Sequence, residues 1–440
     1  MLTKERNDFL CQTGPGTPMG TAMRRFWWPV LISDELSRDS DPVLVGLLGE
    51  RFVAFRDSAG RVGILNERCC HRGATLLIGR VEDCGIRCMY HGWKFDVEGK
   101  LLHAPNVASE IYLDKVRQPS YPVREEGGLI WTYIGPPEHE PPFRRMPWAD
   151  LPSSRVDIFG FLLPTNYLAE LENHFDGGHI TLHHDAALDY PIETQAAIEP
   201  TFATSLDTPP SRGEFEESDF GFYYAMIRDD AAGGPPAFTL VVPFVVPTTV
   251  VPISNDTGSV YVFDVPVDDV TTLNFWVQTN TAEELPRLPP IWERMPDLCE
   301  QMPNRLIATL KLNDQNRYLQ DRNSMRNGRY AGFLGRPKLE DPVAGPVMWR
   351  EAGGPASLFH QDLAIMLALG DYPTRSMEHT VPCDIGVLQL RRTLTHLAQQ
   401  VAVGEAPPSV KADVAGVRCH SGRHVPDWRK LLLGQVGVTA

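Results

Sequence analysis

Basic residues are the scarce class in this 440-residue sequence. Lys and Arg number 41 against 56 Asp and Glu, for a formal net charge of −15 at pH 7. A nucleic-acid partner needs a basic face, so that class of function is set aside. Cysteine is sparse too: eight in a chain of this size are too few for a disulfide framework. Long apolar runs are missing. The most apolar stretch, Phe238 to Ile253, is broken by Pro243, Pro247 and Pro252, which suits buried strands and turns and not a membrane span. The opening Met1-Leu2-Thr3-Lys4-Glu5-Arg6-Asn7 has no secretory apolar core. Gly14, Gly16 and Gly20 form no dinucleotide fingerprint, because the third comes one place late and no strand leads into them. No internal repeat or low-complexity tract stands out. What is left is the expectation of a soluble cytoplasmic protein with neither nucleic acid nor membrane as partner. Its length is enough for two domains with real cores.

What is present starts with Cys69-Cys70-His71-Arg72-Gly73 and Cys88-Met89-Tyr90-His91-Gly92-Trp93. The spacing is C-x-H-x16-C-x2-H, two Cys/His pairs in short, tightly turned segments. A [2Fe–2S] cluster with two thiolates on one iron and two imidazoles on the other needs this ligand set, with Cys69, His71, Cys88 and His91 as ligands. A tetrahedral zinc site takes the same residue types, but common zinc modules have longer spacers inside each pair. Thiolate ligands must be free, which points to a reducing compartment. Cys70, between two ligands, is expected to face the other way and pack, and Cys84 to pack as well.

A second constellation runs from Glu172-Asn173-His174-Phe175-Asp176 through His179 to His183-His184. Two imidazoles and one carboxylate on one face of a metal make a mononuclear non-heme Fe(II) site with open positions opposite. On a regular helix Asn173, Asp176 and His179 share a face, and His183 joins them at i+4 while His184 is rotated away. Candidate third ligands downstream are Asp314, Asp321, Asp341, Asp362, Asp371 and Asp384.

The first constellation, with His-Arg-Gly after one pair and Tyr-His-Gly-Trp-Lys-Phe around the other, resembles the Rieske motif of the Rieske non-heme iron oxygenases. Respiratory Rieske proteins carry two further cysteines, where this chain has Ala74 and Tyr90. The second constellation resembles the family's E-N-x-x-D-x-x-H-x4-H motif. The resemblance implies iron ligands His179 and His184, with His183 left open by the helical spacing, a bridging carboxylate at Asp176, and Asn173 beside it. In the phthalate dioxygenase-like subgroup the third ligand lies in a Gln-Asp or Glu-Asp pair opening a late helix. Gln361-Asp362 matches, with Ser357 as a possible cap and Leu363, Met366 and Leu367 as an apolar stripe.

The fold class implied is α+β: an all-β Rieske domain plus a helix-grip catalytic domain, an antiparallel sheet with helices. Residues 1–40 are expected to pack on the catalytic domain, 41–140 to form the [2Fe–2S] domain and 141–440 the mononuclear iron domain. Turn signals support this division: Arg51 to Arg56 and Arg61 to Asn66 flank Asp57-Ser58-Ala59-Gly60, and Trp93 to Val97 and Lys100 to His103 flank Glu98-Gly99. Gly128 to Ile134 reads as the closing strand. Asn166 to His184, 356–370 and 383–401 read as helices, and Phe220 to Arg228, Thr239 to Val251, Val260 to Val265 and Leu273 to Gln278 as strands of one antiparallel sheet. Arg375, Glu378, Arg391 and Arg392 need no more than helix packing and surface pairing.

The family resemblance implies a terminal oxygenase. Such an enzyme takes electrons from a separate NAD(P)H-dependent reductase and uses O2 to hydroxylate, dihydroxylate or O-demethylate a small aromatic substrate, an aryl carboxylate or aryl ether, in aromatic hydrocarbon catabolism. It also implies a homotrimer in which the cluster of one subunit serves the iron of the next. Arg212 is the nearest match to a carboxylate-binding arginine. A second arginine is absent from Thr239 to Phe244, which favours an aromatic with at most one carboxylate. The alternative is a Rieske-type electron-transfer protein without oxygenase activity.

Overall fold

The computed structural model describes residues 2–108, 112–179, 212–229, 236, 238–255, 257–323, 356–370, 372–422 and 425–433. Expectations for His183, His184, Asp341 and Asp371 lie outside the described residues.

Two short helices open the chain, α1 (Lys4–Cys11) and α2 (Pro18–Met23). Thr17 caps α2 by accepting the Gly20 N–H, and Pro18 takes the first helical position, where its missing N–H costs nothing. The strand β1 (Trp28–Ile32) follows. Strands β2 (Val43–Leu47), β3 (Glu50–Arg56) and β4 (Val62–Asn66) form a meander. The smaller sheet of β5 (Arg80–Glu82), β6 (Gly85–Arg87), β7 (Lys94–Phe95) and β8 (Leu101–His103) stands beside it. Next, β9 (Ser120–Tyr121) extends the meander at β4, and β10 (Val123–Glu126) turns into β11 (Leu129–Thr132). The segment expected to close the module therefore lies mid-sheet: β11 pairs with β10 on one side and β1 on the other.

The remainder is built on β12 (Val156–Leu163), α3 (Tyr167–Asn173), β13 (Arg212–Glu217), β14 (Gly221–Arg228), β15 (Phe238–Val245), β16 (Thr249–Asn255), β17 (Gly258–Pro266) and β18 (Thr272–Thr279). After these come α4 (Ile291–Arg294), β19 (Cys299–Gln301), β20 (Ala308–Leu310), α5 (Ala356–Ala368), α6 (Ile385–Ala402), β21 (His420–Gly422) and α7 (Arg429–Leu432). The sheet order is β13-β14-β15-β16-β17-β18-β12-β20-β19, with β21 added to β15. Every pairing is antiparallel except β12 with β20. The expected single antiparallel sheet is present, and β12, β13 and the late short strands enlarge it.

One apolar core runs from Leu10 on α1 through Trp28 and Phe52 to Phe244, Leu390 and Cys419. The opening helices are fastened to the start of α3: Tyr167 Oη–H donates to the Leu10 carbonyl at 2.7 Å, and Asn166 Nδ2 to that of Cys11 at 2.9 Å. Asn166 also caps α3 by accepting the Leu168 N–H. Among the described residues no helix is long and apolar enough to cross a membrane.

Candidate metal centres

The two Cys/His segments become two turns with the same hydrogen-bond plan. Gly73 N–H donates to the Cys69 carbonyl at 2.8 Å and Gly92 N–H to that of Cys88 at 3.0 Å. Cys69 N–H donates to Ala74 and Cys88 N–H to Trp93, both at 2.8 Å. Both glycines have φ above +70° (73° and 71°), where a side chain would be strained, so each motif ends on Gly for a conformational reason. Cys69 and Cys88 are buried at 3% and 2% exposure, while His71 and His91 sit half-buried at the rim. The imidazole rings are 4.5 Å apart, and His71 stacks on Trp93 at 4.3 Å. Trp93 is fixed in turn by its Nε1–H bond to Asn106 at 2.7 Å.

Thiols inside and imidazoles outside fit a [2Fe–2S] cluster with its two thiolates on the inner iron and two imidazoles on the outer. Burial pushes the Cys69 thiol up to about 12, with the neighbouring Cys88 adding to the rise. The Cys69 thiol therefore resists ionisation until a cation is bound. Cys70 departs from expectation: it is exposed, because the turn carries it to the outer surface. Its backbone N–H, not its side chain, is engaged, donating to Gln118 Oε1 at 2.7 Å. Cys84 is half-buried with φ 60°, in the turn between β5 and β6.

The helix expected from Asn166 onward stops at Asn173. Asp176-Gly177-Gly178 has little tendency to continue it, so Asn173, Asp176 and His179 are not aligned by helical periodicity. Asp176 and His179 meet all the same, in the turn that follows: His179 Nδ1 is 3.7 Å from Asp176 Oδ2. On the ring's other side, His179 Nε2 is 3.6 Å from Asp362 Oδ1. That exceeds a hydrogen bond and suits two ligands sharing one ion. Burial would lower the His179 pKa, but the carboxylates of Asp176 and Asp362 raise it to about 10. Burial likewise opposes ionisation of Asp176, yet His179 and the Gly178 N–H hold its carboxyl below the usual range.

Of the four candidate carboxylates among the described residues, Asp362 is the one seen against His179. Asp384 instead accepts the Val381 N–H at 2.7 Å, Asp321 the Asn323 N–H at 2.8 Å, and Asp314 is exposed. Two details of the expected helix are corrected. Ser357 is the second residue of α5, so it cannot cap it, and Asp362 lies in the second turn, not at the opening. Inward burial of Leu363, Ala364 and Met366 sets the rotation of α5, and His360 anchors it through Nε2–H to the Tyr318 carbonyl at 2.6 Å.

A charged network beneath the motif went unread in the sequence. Glu172 is contacted by Arg375 and by Arg391, whose Nε and Nη2 reach its two oxygens at 2.7 and 2.9 Å; Arg391 also holds Glu378. Both arginines have side chains only 8% exposed, so surface pairing does not describe them. Burial alone would raise the Glu172 pKa; the two guanidinium groups bring it below the usual range. Glu172→Gln should lower the unfolding free energy by about 3–5 kcal/mol, the usual consequence of stranding one side of a buried pair. Denaturant titration of wild type and variant checks this, and an unchanged midpoint contradicts it.

Arg212 is the first residue of the edge strand β13. Its guanidinium pairs with Asp229 at 3.1 Å and with Glu214, its side chain 46% exposed. Missed altogether was a group formed by Glu170, His174 and Asp264. Its signals were an i, i+4 carboxylate–imidazole pair and a lone acid in the apolar run Val260 to Val265.

Two family models match: "Rieske [2Fe-2S] domain" over residues 26–122 and "LigXa C-terminal domain like" over residues 132–357. The chain is 31% identical to the phthalate 4,5-dioxygenase oxygenase subunit of Pseudomonas putida over 98% of this chain and 94% of that one. It is 30% identical to the 3-chlorobenzoate-3,4-dioxygenase oxygenase subunit of Comamonas testosteroni, over 93% and 91%. The fold is shared with dicamba monooxygenase bound to dicamba, at TM-score 0.55 and 17% identity over 86% of this chain and 98% of that one.

Proposed function

Because the chain belongs to the Rieske non-heme iron oxygenases, we propose that Cys69, His71, Cys88 and His91 hold its [2Fe–2S] cluster and that His179, His184 and Asp362 hold its mononuclear iron. The protein is an oxygenase component, not a plain electron carrier, since its relatives over nearly full length are oxygenase subunits. The observation carrying the site assignment is His179 Nε2 at 3.6 Å from Asp362 Oδ1, two residues far apart in sequence. When bound, the cluster supplies one-electron storage and the iron supplies O2 activation.

The chain's own residues position that chemistry. Asp176 faces His179 Nδ1, so it favours the tautomer with that nitrogen protonated and leaves Nε2 free to ligate. Gly178 N–H, bonded to Asp176 Oδ1 at 2.9 Å, fixes the carboxylate. Its side chain remains 40% exposed, so one oxygen can reach His91 of the partner subunit in a closed trimeric ring. A separate NAD(P)H-dependent reductase system supplies the electrons, and the compartment is the cytoplasm.

The substrate class is an aryl carboxylate or aryl ether. The phthalate and 3-chlorobenzoate relatives support it. Arg212, engaged by two carboxylates on an edge strand, supports a substrate with at most one carboxylate. The test is the protein itself: purified with ample iron and sulfide, it should be red-brown and hold about three irons per chain, two in the cluster and one mononuclear. Zinc in place of iron would overturn the assignment. Turnover of aryl acids and ethers with a reductase and O2 then separates hydroxylation from O-demethylation.

A further inference from the structure

We infer that Glu170, His174 and Asp264 form a second cation site, one that takes a divalent ion of the Mn2+ kind behind the proposed iron ligands. Each side chain offers one donor atom, and these all lie within 4.8 Å of one another. They come from two elements held together by the fold: Glu170 and His174 are one turn apart at the end of α3, and Asp264 projects from β17.

The donor atoms lack other work. Asp264 is fully buried; Asn274 Nδ2 reaches its Oδ1 at 2.6 Å, but its Oδ2 has no hydrogen-bond partner. His174 Nε2 is buried without a hydrogen bond, 4.0 Å from Glu170 Oε1. Among the described residues no Lys or Arg pairs with Glu170 or Asp264. The contrast with Glu172, two residues along the same helix, is instructive. Glu172 is equally buried and takes two arginines; Glu170 and Asp264 have none among the described residues, so burial pushes their carboxyls up and ionising them calls for a cation. A buried, unpaired donor costs about 1–3 kcal/mol, and three converging donors make an ion the simplest remedy.

The donor set also says which ion. One imidazole excludes a purely oxygen-seeking ion such as Ca2+, while two carboxylates and a single imidazole are harder than the two-imidazole set proposed for iron, so Mn2+ is the best match. Such an ion would tie the end of α3 to β17 and so hold from behind the turn that carries Asp176 and His179.

Rigour requires separating this site from the triad on which the functional reading rests. The probe is Mn2+ added to Asp362→Ala protein with its cluster loaded, so that the proposed iron site is disabled. Electron paramagnetic resonance of free Mn2+ should show one ion bound per chain, and the unfolding midpoint should rise with added Mn2+. Adding Glu170→Gln or Asp264→Asn, both near-isosteric, should abolish binding and the Mn2+-dependent rise, with an unchanged cluster spectrum showing that the fold persists. No bound Mn2+ in Asp362→Ala protein overturns the inference, whether the triad holds iron or not. So does Mn2+ binding that both further substitutions leave intact.

Discussion

Asp362→Ala abolishes product formation and empties the mononuclear iron site, while the visible spectrum of the cluster stays as in the wild type. The expectation follows from placement. Asp362 supplies the carboxylate 3.6 Å from His179 Nε2, and the cluster turns belong to a different set of sheets. Removing an outer-shell partner costs metal sites roughly 10- to 100-fold in affinity or activity; removing a ligand should cost more. Iron quantitation beside the cluster absorbance measures both halves. His184→Ala should behave in the same way and His183→Ala should keep its iron. Retained mononuclear iron and near-normal turnover in Asp362→Ala would move the third ligand elsewhere.

Asp176→Asn should load both centres almost normally and fail in between them. The amide keeps the shape of the carboxylate and loses the charge that faces His179 Nδ1. The proposed iron ligands are His179 Nε2 and Asp362, so iron binding should be largely spared. On the proposed assignment, transfer from a reduced cluster to the neighbouring iron would rely on the bridge itself. The loss should exceed the roughly 10- to 100-fold of ordinary outer-shell changes. Single-turnover mixing of chemically reduced enzyme with O2 and substrate reads it as cluster reoxidation. Reoxidation at the wild-type rate would make Asp176 a structural carboxylate and remove the trimer bridge.

How far these sites are legible in the sequence depends on how local they are. Cys69, His71, Cys88 and His91 occupy two five- to six-residue turns, so their spacing encodes the proposed ligand set directly. Asp176 and His179 are legible by motif, although their proximity comes from a turn closing after Asn173 and not from a helix face. Asp362 is half-legible: its apolar stripe marks α5, but only tertiary packing rotates it towards His179. Glu172, Arg375 and Arg391 were misread because charge suggests surface, whereas α6 and the segment before it bring the two arginines onto Glu172 in the interior. Asp264 hides for a related reason. A strand's two-residue alternation says nothing of which buried neighbour an inward acid will meet. The sheet was readable where Val, Phe and Tyr run together, and unreadable at β19, β20 and β21, whose three residues each carry too little pattern.

The repeated hydrogen-bond plan of the two cluster turns has an electronic consequence. Each Cys is fastened on both its amide and its carbonyl, and the His71 backbone N–H also points at the Cys69 sulfur. If these residues hold the cluster as proposed, their atoms would have little room to shift when it gains or loses one charge. The reorganisation energy on the protein side would therefore be small, and an electron could arrive and leave without waiting for the backbone. An amide aimed at a ligand sulfur would stabilise the reduced form and set the potential upward. Speed and driving force are thus written into the same few peptide groups.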